Sequence, residues 1–149
     1  MTSSENSAQK VIWLYLVAAI ISLVGLGDAI YLTIQDITGA NLRCTIISGC
    51  SEVLSSKYAH IGPIPLATLG AFAYFAFFSL AILAAFGYGL VRPLLLILVS
   101  IMFLTTLWLL YLQAFEIRHF CQYCLLSAAI TVVLTAIVWG ARIMRPERA

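Results

Sequence analysis

The 149-residue sequence predicts an all-α integral membrane protein, a four-helix bundle with a long external loop that carries a short helix. Three observations predict this class. Hydrophobic residues make up 63% of the chain and charged residues 9%, against about 45–50% and about 25% in soluble domains. Runs of membrane-spanning length with at most one formal charge occur four times. These runs are continuous, which excludes a membrane barrel built on roughly 10-residue segments of alternating character. The composition also excludes a disordered chain. Eight Lys and Arg against six acidic residues, a net charge of +2, leave no basic footprint for a nucleic acid partner. Residues 1–149 are read as one membrane domain, too short for two ordinary ones.

The elements follow in order. Val11–Ile34 is a stretch of 24 residues whose only formal charge is Asp28. Tyr58–Val91 holds 34 residues without Lys, Arg, Asp or Glu. Pro93–Phe115 and His119–Ala141 add 23 uncharged residues each, with His119 titratable. A bilayer core takes about 20 apolar residues per helix, so spans are expected at about 11–33, 66–87, 93–115 and 121–141. The first is longer than the apolar stretch of a signal peptide and is not followed by a convincing small-residue cleavage site, so it is read as an uncleaved span. Tight turns are expected at Gly87–Arg92 and Phe115–Phe120. The segment Gln35–Pro65 is too long for a plain connection. Within it Ser51–His60 is expected to be a short helix, with Val53, Leu54 and Lys57 at helical spacing. Gly62, Pro63 and Pro65 then turn the chain into the second span. There is no internal repeat and no nucleotide-binding glycine pattern.

Four spans place both termini on one side. That side carries five cations, Lys10, Arg92, Arg142, Arg145 and Arg148, and the other carries three, Arg43, Lys57 and Arg118. The positive-inside rule therefore puts the termini in the cytoplasm. All four cysteines then face the exterior or periplasm, where disulfides persist. Cys44 and Cys50 lie in the long loop, and Cys121 and Cys124 open the fourth span. Four cysteines allow three pairings.

Cys121-Gln-Tyr-Cys124 is a C-x-x-C at a helix N-terminus. Its two cysteines share a helix face. The unsatisfied N–H groups and the macrodipole there favour a thiolate, which makes a disulfide exchange readily. Ordinary packing cysteines, a structural zinc site and static bracing disulfides are the alternatives. Chance rarely places all four cysteines at one membrane face, the C-x5-C spacing is loose for zinc, and bracing disulfides would more naturally join distant segments. A redox relay is the reading that remains, with no metal.

Asp28 is a functional candidate as an intramembrane carboxylate; the plainer expectation is that it snorkels outward or caps the loop. Glu116, Arg118 and His119 flank the C-x-x-C, and His119 has the chemistry to accept a proton, although a solvated turn is the simpler reading. Phe72, Tyr74, Phe75, Phe77 and Phe78 read as lipid-facing and packing surface. Trp13, Tyr15, Tyr31, Tyr111 and Trp139 read as an interfacial belt. Gly70, Ala71 and Ala73 would allow close helix approach.

These residues resemble the vitamin K epoxide reductase family, in particular its prokaryotic single-domain members. The resemblance runs from the first span to the fourth. It rests on Arg43-Cys44 and Gly49-Cys50, on Ser51-Glu52-Val53-Leu54-Ser55-Ser56-Lys57-Tyr58, on Gly62-Pro63-Ile64-Pro65-Leu66-Ala67 with Gly70 and Tyr74 beyond, and on Phe120-Cys121-Gln122-Tyr123-Cys124. The order, loop pair first and C-x-x-C last, separates it from the disulfide-forming quinone reductases that place C-x-x-C after their first span.

The resemblance implies a thiol-disulfide oxidoreductase of the cell inner membrane that passes electrons to a quinone such as ubiquinone or menaquinone and supports disulfide formation. It implies that Cys121 and Cys124 form the active site, with Cys124 nearer the quinone. Cys44 would meet a thioredoxin-like periplasmic oxidase, and Cys50 would meet Cys121. Ser56, Leu66 and Leu69 would belong to the quinone pocket, with the Ser51–His60 segment lying across its mouth as a lid. No thioredoxin-like domain follows Ala149, so the oxidase is expected to be a separate protein. Animal members that act on vitamin K carry a tyrosine where this chain has Ala128 and an asparagine where it has Leu66, which favours quinone over epoxide as the acceptor. A vitamin K epoxide reductase and a non-enzymatic scaffold with structural disulfides are the competing readings.

Overall fold

A computed structural model of the chain describes residues 2–39 and 55–144. Four long helices dominate it. Helix α1 spans Thr2–Thr38. A two-strand hairpin follows, β1 (His60–Ile61) paired antiparallel with β2 (Ile64–Pro65). Helices α2 (Leu66–Ala85), α3 (Val91–Tyr111) and α4 (Gln122–Met144) complete the bundle. Each of the four is long and apolar enough to cross a membrane, α3 together with its continuation to Ile117. The molecule is a membrane protein of the expected helical class.

Several boundaries differ from the sequence expectation. Helix α1 has 37 residues, about 55 Å at about 1.5 Å each, well beyond the roughly 30 Å of a hydrocarbon core. Its polar ends, Ser3–Lys10 and Gln35–Thr38, supply helix-forming or neutral residues and no Gly or Pro, so nothing in the sequence stops it before Gly39. The second turn, expected over Phe115–Phe120, falls late within that stretch. The chain continues beyond α3 as a π-helical segment, Leu112–Ile117, and turns at Arg118, which takes a left-handed φ of 57°. The helix expected at Ser51–His60 is not found over its described part. Residues 55–59 form turns and His60 is already in β1, because Gly62, at φ 62°, and Pro63 make a two-residue hairpin turn that pulls the chain extended on both sides. Cys44, Cys50, Val53, Leu54, Arg145 and Arg148 lie outside the described residues.

The core is a seam of buried residues at three- and four-residue spacing. Helix α1 contributes Val11, Tyr15, Ala18 and Ser22; α2 contributes Tyr74, Phe77, Ala81 and Ala84; α3 contributes Leu95, Val99 and Met102; α4 contributes Thr131, Leu134, Val138 and Ala141. Ala18, Ser22, Gly25 and Ala29 keep the inner face of α1 small, so that α2 packs most extensively against it. The outward faces carry large apolar side chains such as Ile20, Phe72 and Leu104. In lipid these need no cover, since the acyl chains are as apolar as they are. Trp13, Tyr31, Tyr111 and Trp139 are exposed, as an interfacial belt requires, whereas Tyr15 is buried in the bundle and takes no part in it.

Lys10, Arg92 and Arg142 sit at the end of the bundle where α1 begins and α4 ends. The C-x-x-C sits at the opposite end. There, among the described residues, these contacts hold the hairpin. His60 Nε2 pairs with Asp36 Oδ2 of α1 at 2.9 Å. The Leu66 amide donates to the Ala59 carbonyl at 2.7 Å, and the Ala59 amide to the Ser56 carbonyl at 3.1 Å. These contacts seat residues 56–59 over the inter-helical space next to the C-x-x-C.

Candidate functional site: a dithiol beside an apolar cavity

Cys121 stands at the N-cap of α4, where its carbonyl accepts the first intrahelical bond from the Leu125 amide at 2.9 Å. Its sulfur is in hydrogen-bond reach of the backbone N–H groups of Tyr123 and Cys124 and of the Cys124 thiol. Cys121 and Cys124 are both free thiols. The hydrogen bond from the Cys124 thiol, aided by the backbone N–H groups, lowers the Cys121 thiol to about 7, against the opposing effect of burial. This is the stabilisation expected of an N-terminal thiolate. Cys121 is fully enclosed, packed against Leu32, Ala67, Ile117 and Tyr123.

The two cysteines face different surroundings. Cys124 lines a cavity of about 140 Å³ and Cys121 does not. That volume compares with the roughly 150 Å³ apolar cavity that admits a benzene ring. Its walls are mainly apolar. Ala29 and Leu32 come from α1, Leu66, Ala67 and Gly70 from α2, and Leu109 and Leu110 from α3. Ser56, Tyr58 and Ala59 close it from the hairpin side, and Ala128 stands in the wall from α4. The few polar groups are Asp28, Tyr74, Thr106, Gln113 and Ser127, besides the hairpin-side hydroxyls.

Three of these polar groups are organised by tertiary contacts. The Tyr74 hydroxyl lies 2.7 Å from Ser127 Oγ, 3.0 Å from the Ser127 carbonyl and 3.1 Å from Thr131 Oγ1, tying α2 to α4. Its ring occupies space that exists because residue 25 is glycine: a methyl built there would fall 2.6 Å from Tyr74 Cζ and 2.8 Å from Cδ1. Gln113 is buried in the π-helical segment, its amide oxygen 3.5 Å from the Cys121 amide and its side chain in hydrogen-bond reach of Cys124. A π-helical turn is a frequent feature of functional sites, and here it turns Gln113 inward to the dithiol. Neither Gln113 nor the Tyr74 hydroxyl was picked out as a site residue from the sequence. A lone amide near the end of an otherwise apolar span was the available signal for Gln113.

A model of the vitamin K epoxide reductase family matches residues 16–139. The chain belongs to this family. It is therefore a membrane oxidoreductase of a quinone-associated family. The match runs from within α1 through most of α4 and includes every cysteine.

With the family established, each expected site residue can be located. Cys121 and Cys124 stand together at the head of α4, and Cys124, Ser56 and Leu66 share the cavity. Leu69 does not line this cavity and is 41% exposed. At about 100° per residue, wall positions 66, 67, 70 and 74 fall within one arc, and Leu69 lies about 60° outside it beyond Leu66. Cys44 and Cys50 lie outside the described residues. Asp28 neither snorkels nor caps the loop. Ten residues of α1 follow it, through Thr38, about 15 Å of helix, and its side chain opens into the cavity. Tyr74, expected as packing, is a buried polar member of the cavity wall. Glu116, at the end of the π-helical segment, and Arg118 and His119, in the turn after it, are exposed and do not line the cavity.

Proposed function

We propose that this family member transfers electrons from protein dithiols to a membrane quinone, with Cys121 and Cys124 as the dithiol that reduces it. The observation that carries the proposal is the asymmetry of the pair: Cys124 opens into an apolar, ring-sized cavity while Cys121 is enclosed behind it. A quinone supplies a two-electron, two-proton acceptor when bound. The cavity suits it, with apolar walls for the ring and a small set of hydroxyl, amide and carboxyl groups for its two oxygens. Ala128 and Leu66 in the wall leave out the tyrosine and asparagine of vitamin K-reducing animal members, which favours a quinone over its epoxide.

Electrons enter through the loop pair. A thiolate of a separate thioredoxin-like protein attacks the Cys44–Cys50 disulfide at Cys44. The freed Cys50 attacks the Cys121–Cys124 disulfide at Cys121, and Cys124 is released as a thiolate beside the cavity. Because Cys121 is enclosed, this exchange requires a neighbour to move aside. Seated over the cavity by the His60–Asp36 pair and the Leu66 amide, residues 56–59 act as its cover.

The test is a quinone-reduction assay with the purified full-length protein, a thioredoxin-like dithiol protein or a small dithiol as donor. Quinone consumption with either donor is expected; none with both overturns the proposal. Cys44→Ser is expected to block entry from the protein donor and to spare the small dithiol, which reaches the C-x-x-C directly. Loss of both activities would show that Cys44 is more than the entry point.

The proposed orientation puts the termini in the cytoplasm and the C-x-x-C end of the bundle outside, in the inner membrane of a bacterial cell. Membrane-impermeant thiol reagents applied to intact cells after reduction should label the loop cysteines. Labelling confined to inverted vesicles would reverse the topology.

A further inference from the structure

Asp28 takes no part in the thiol–disulfide exchanges described above, and its position within a span sets it apart from the other acidic residues described. It is a carboxyl group within a membrane span, about 15 Å of helix from the end of α1 at Thr38, and its side chain opens into the cavity shared with Cys124. Its Oδ2 is buried with no hydrogen-bond partner among the described residues. A buried oxygen left without a partner carries a desolvation penalty, and an ionised carboxylate there would carry far more. Compensating charge is absent from the described wall, which contains no Lys, Arg or His. The titratable groups that share the cavity are Tyr58 from the hairpin side, Tyr74 from α2 and Cys124 from α4, with Cys121 behind it; α3 and its π-helical continuation offer only Thr106 and the Gln113 amide. All of these favour a neutral acid.

A neutral carboxylic acid has one proton to give and one lone-pair oxygen to receive. A quinone entering the cavity presents two carbonyl oxygens and needs a proton on each as it gains electrons. Tyr74 is poorly placed to supply one, since its hydroxyl is already bonded to Ser127 and Thr131. The Asp28 carboxyl, with one oxygen buried and unpartnered among the described residues, has hydrogen-bonding capacity to spare in the cavity.

We propose that Asp28 is the proton donor to the quinone, a catalytic residue of this chain; the inference rests on the quinone-reductase reading above. The balance is as follows. The Cys121–Cys124 dithiol loses two electrons and two protons and becomes the disulfide. The electron pair passes to the quinone, which becomes the hydroquinone. As the pair arrives, the Asp28 carboxyl gives its proton to one quinone oxygen, and the resulting carboxylate takes back a proton released by the dithiol. The second thiol proton passes to solvent, from which the second quinone oxygen draws one. Returning Asp28 to its neutral form resets the site.

The experiment compares the full-length protein with D28N and D28E, using a small dithiol and a soluble short-chain quinone. D28N keeps the shape and removes the transferable proton. Its kcat at saturating quinone should fall about 100-fold, the lower range for general-acid catalysis, with KM within a few-fold. D28E should recover part of the rate with a shifted pH–rate profile. Reduction of the Cys121–Cys124 disulfide by the dithiol without quinone should remain within twofold in both variants, which separates proton delivery from a loss of fold. An independent readout is the infrared spectrum of the quinone-free protein, where a protonated carboxyl C=O band at neutral pH should be present and should disappear in D28N. A kcat in D28N within twofold of the parent, a rise in KM with kcat unchanged, or the absence of that band would each overturn the inference. If D28N does not fold, the pH–rate profile of D28E decides, and an unshifted profile counts against it. Failure of the parent protein to reduce quinone at all would instead overturn the underlying functional reading.

Discussion

Replacing Cys124 by alanine is expected to abolish quinone reduction, to the rate of the uncatalysed reaction, while leaving the bundle folded. The substitution removes one sulfur from a cavity wall and nothing from the seam of Phe77, Leu95, Val99 and Leu134 that holds the helices together. It has two chemical consequences for Cys121. The first is loss of the partner that would release it from a mixed disulfide. Cys121 should then attack the loop disulfide and be caught in a bridge with Cys50, freeing Cys44. Peptide mapping under non-reducing conditions reads this bridge directly. Cys121→Ser cannot form it, and Cys50 should stay paired with Cys44 there. A retained quinone-reductase activity, or a trapped bridge to Cys44, would mean that the order of the relay is wrong.

The second consequence concerns protonation. The Cys124 thiol is the largest of the groups that hold Cys121 low, to about 7. Without it the Cys121 thiol should titrate at higher pH, so a smaller fraction is thiolate at neutral pH. Following thiolate ultraviolet absorbance against pH, in a Cys44→Ser, Cys50→Ser background, should show the midpoint rising in Cys124→Ala. A midpoint that stays in place or falls would assign the effect to the backbone N–H groups of α4 alone.

Gly25→Ala carries the second large effect. In an unconstrained helix this change stabilises by about 1 kcal/mol. Here the added methyl meets the Tyr74 ring, at 2.6 Å from Cζ and 2.8 Å from Cδ1, and the ring is enclosed, so it cannot swing away freely. Overpacking of this kind costs about 1–3 kcal/mol. The hydroxyl bonded to Ser127 and Thr131 must move with the ring. A displacement of about 1 Å in a catalytic cavity can cost about 100-fold in rate, so a lowered unfolding temperature and a comparable loss of quinone reduction are expected together. Gly27 is the internal control, since a methyl there meets nothing within 4 Å; Gly27→Ala should be neutral or stabilising. Adding Tyr74→Leu to Gly25→Ala should relieve the stability loss, giving a double variant less damaged than the two single effects summed. If Gly25→Ala behaved like Gly27→Ala, the close approach of Tyr74 to α1 would not be part of the folded protein.

Much was determined by the sequence alone. Long uncharged runs have no stable place in water, so the four spans follow from composition and length. The ends of α2 at Leu66 and Ala85 follow from Pro65 before and Gly87 after. The C-x-x-C at the head of α4 was legible because a cysteine pair three residues apart at the start of an apolar run puts both sulfurs on the first helical turn. Other features were decided only by tertiary structure, for one physical reason. Lipid is as apolar as a protein core, so a membrane helix shows no polar stripe to tell which face turns inward. Leu66 and Leu69 are alike in sequence, and the packing of α2 against α1 sends one into the cavity and the other outside it. Tyr15 and Trp13 read alike as belt residues, yet one is buried and one is exposed. Asp28 became part of the cavity because α1 runs on to Thr38, Gln113 because the chain winds into a π-helical turn after Tyr111, and Tyr74 because Gly25 on another helix leaves room for its ring. Each of these depends on what a neighbouring helix or turn places opposite, which no local pattern of residues records.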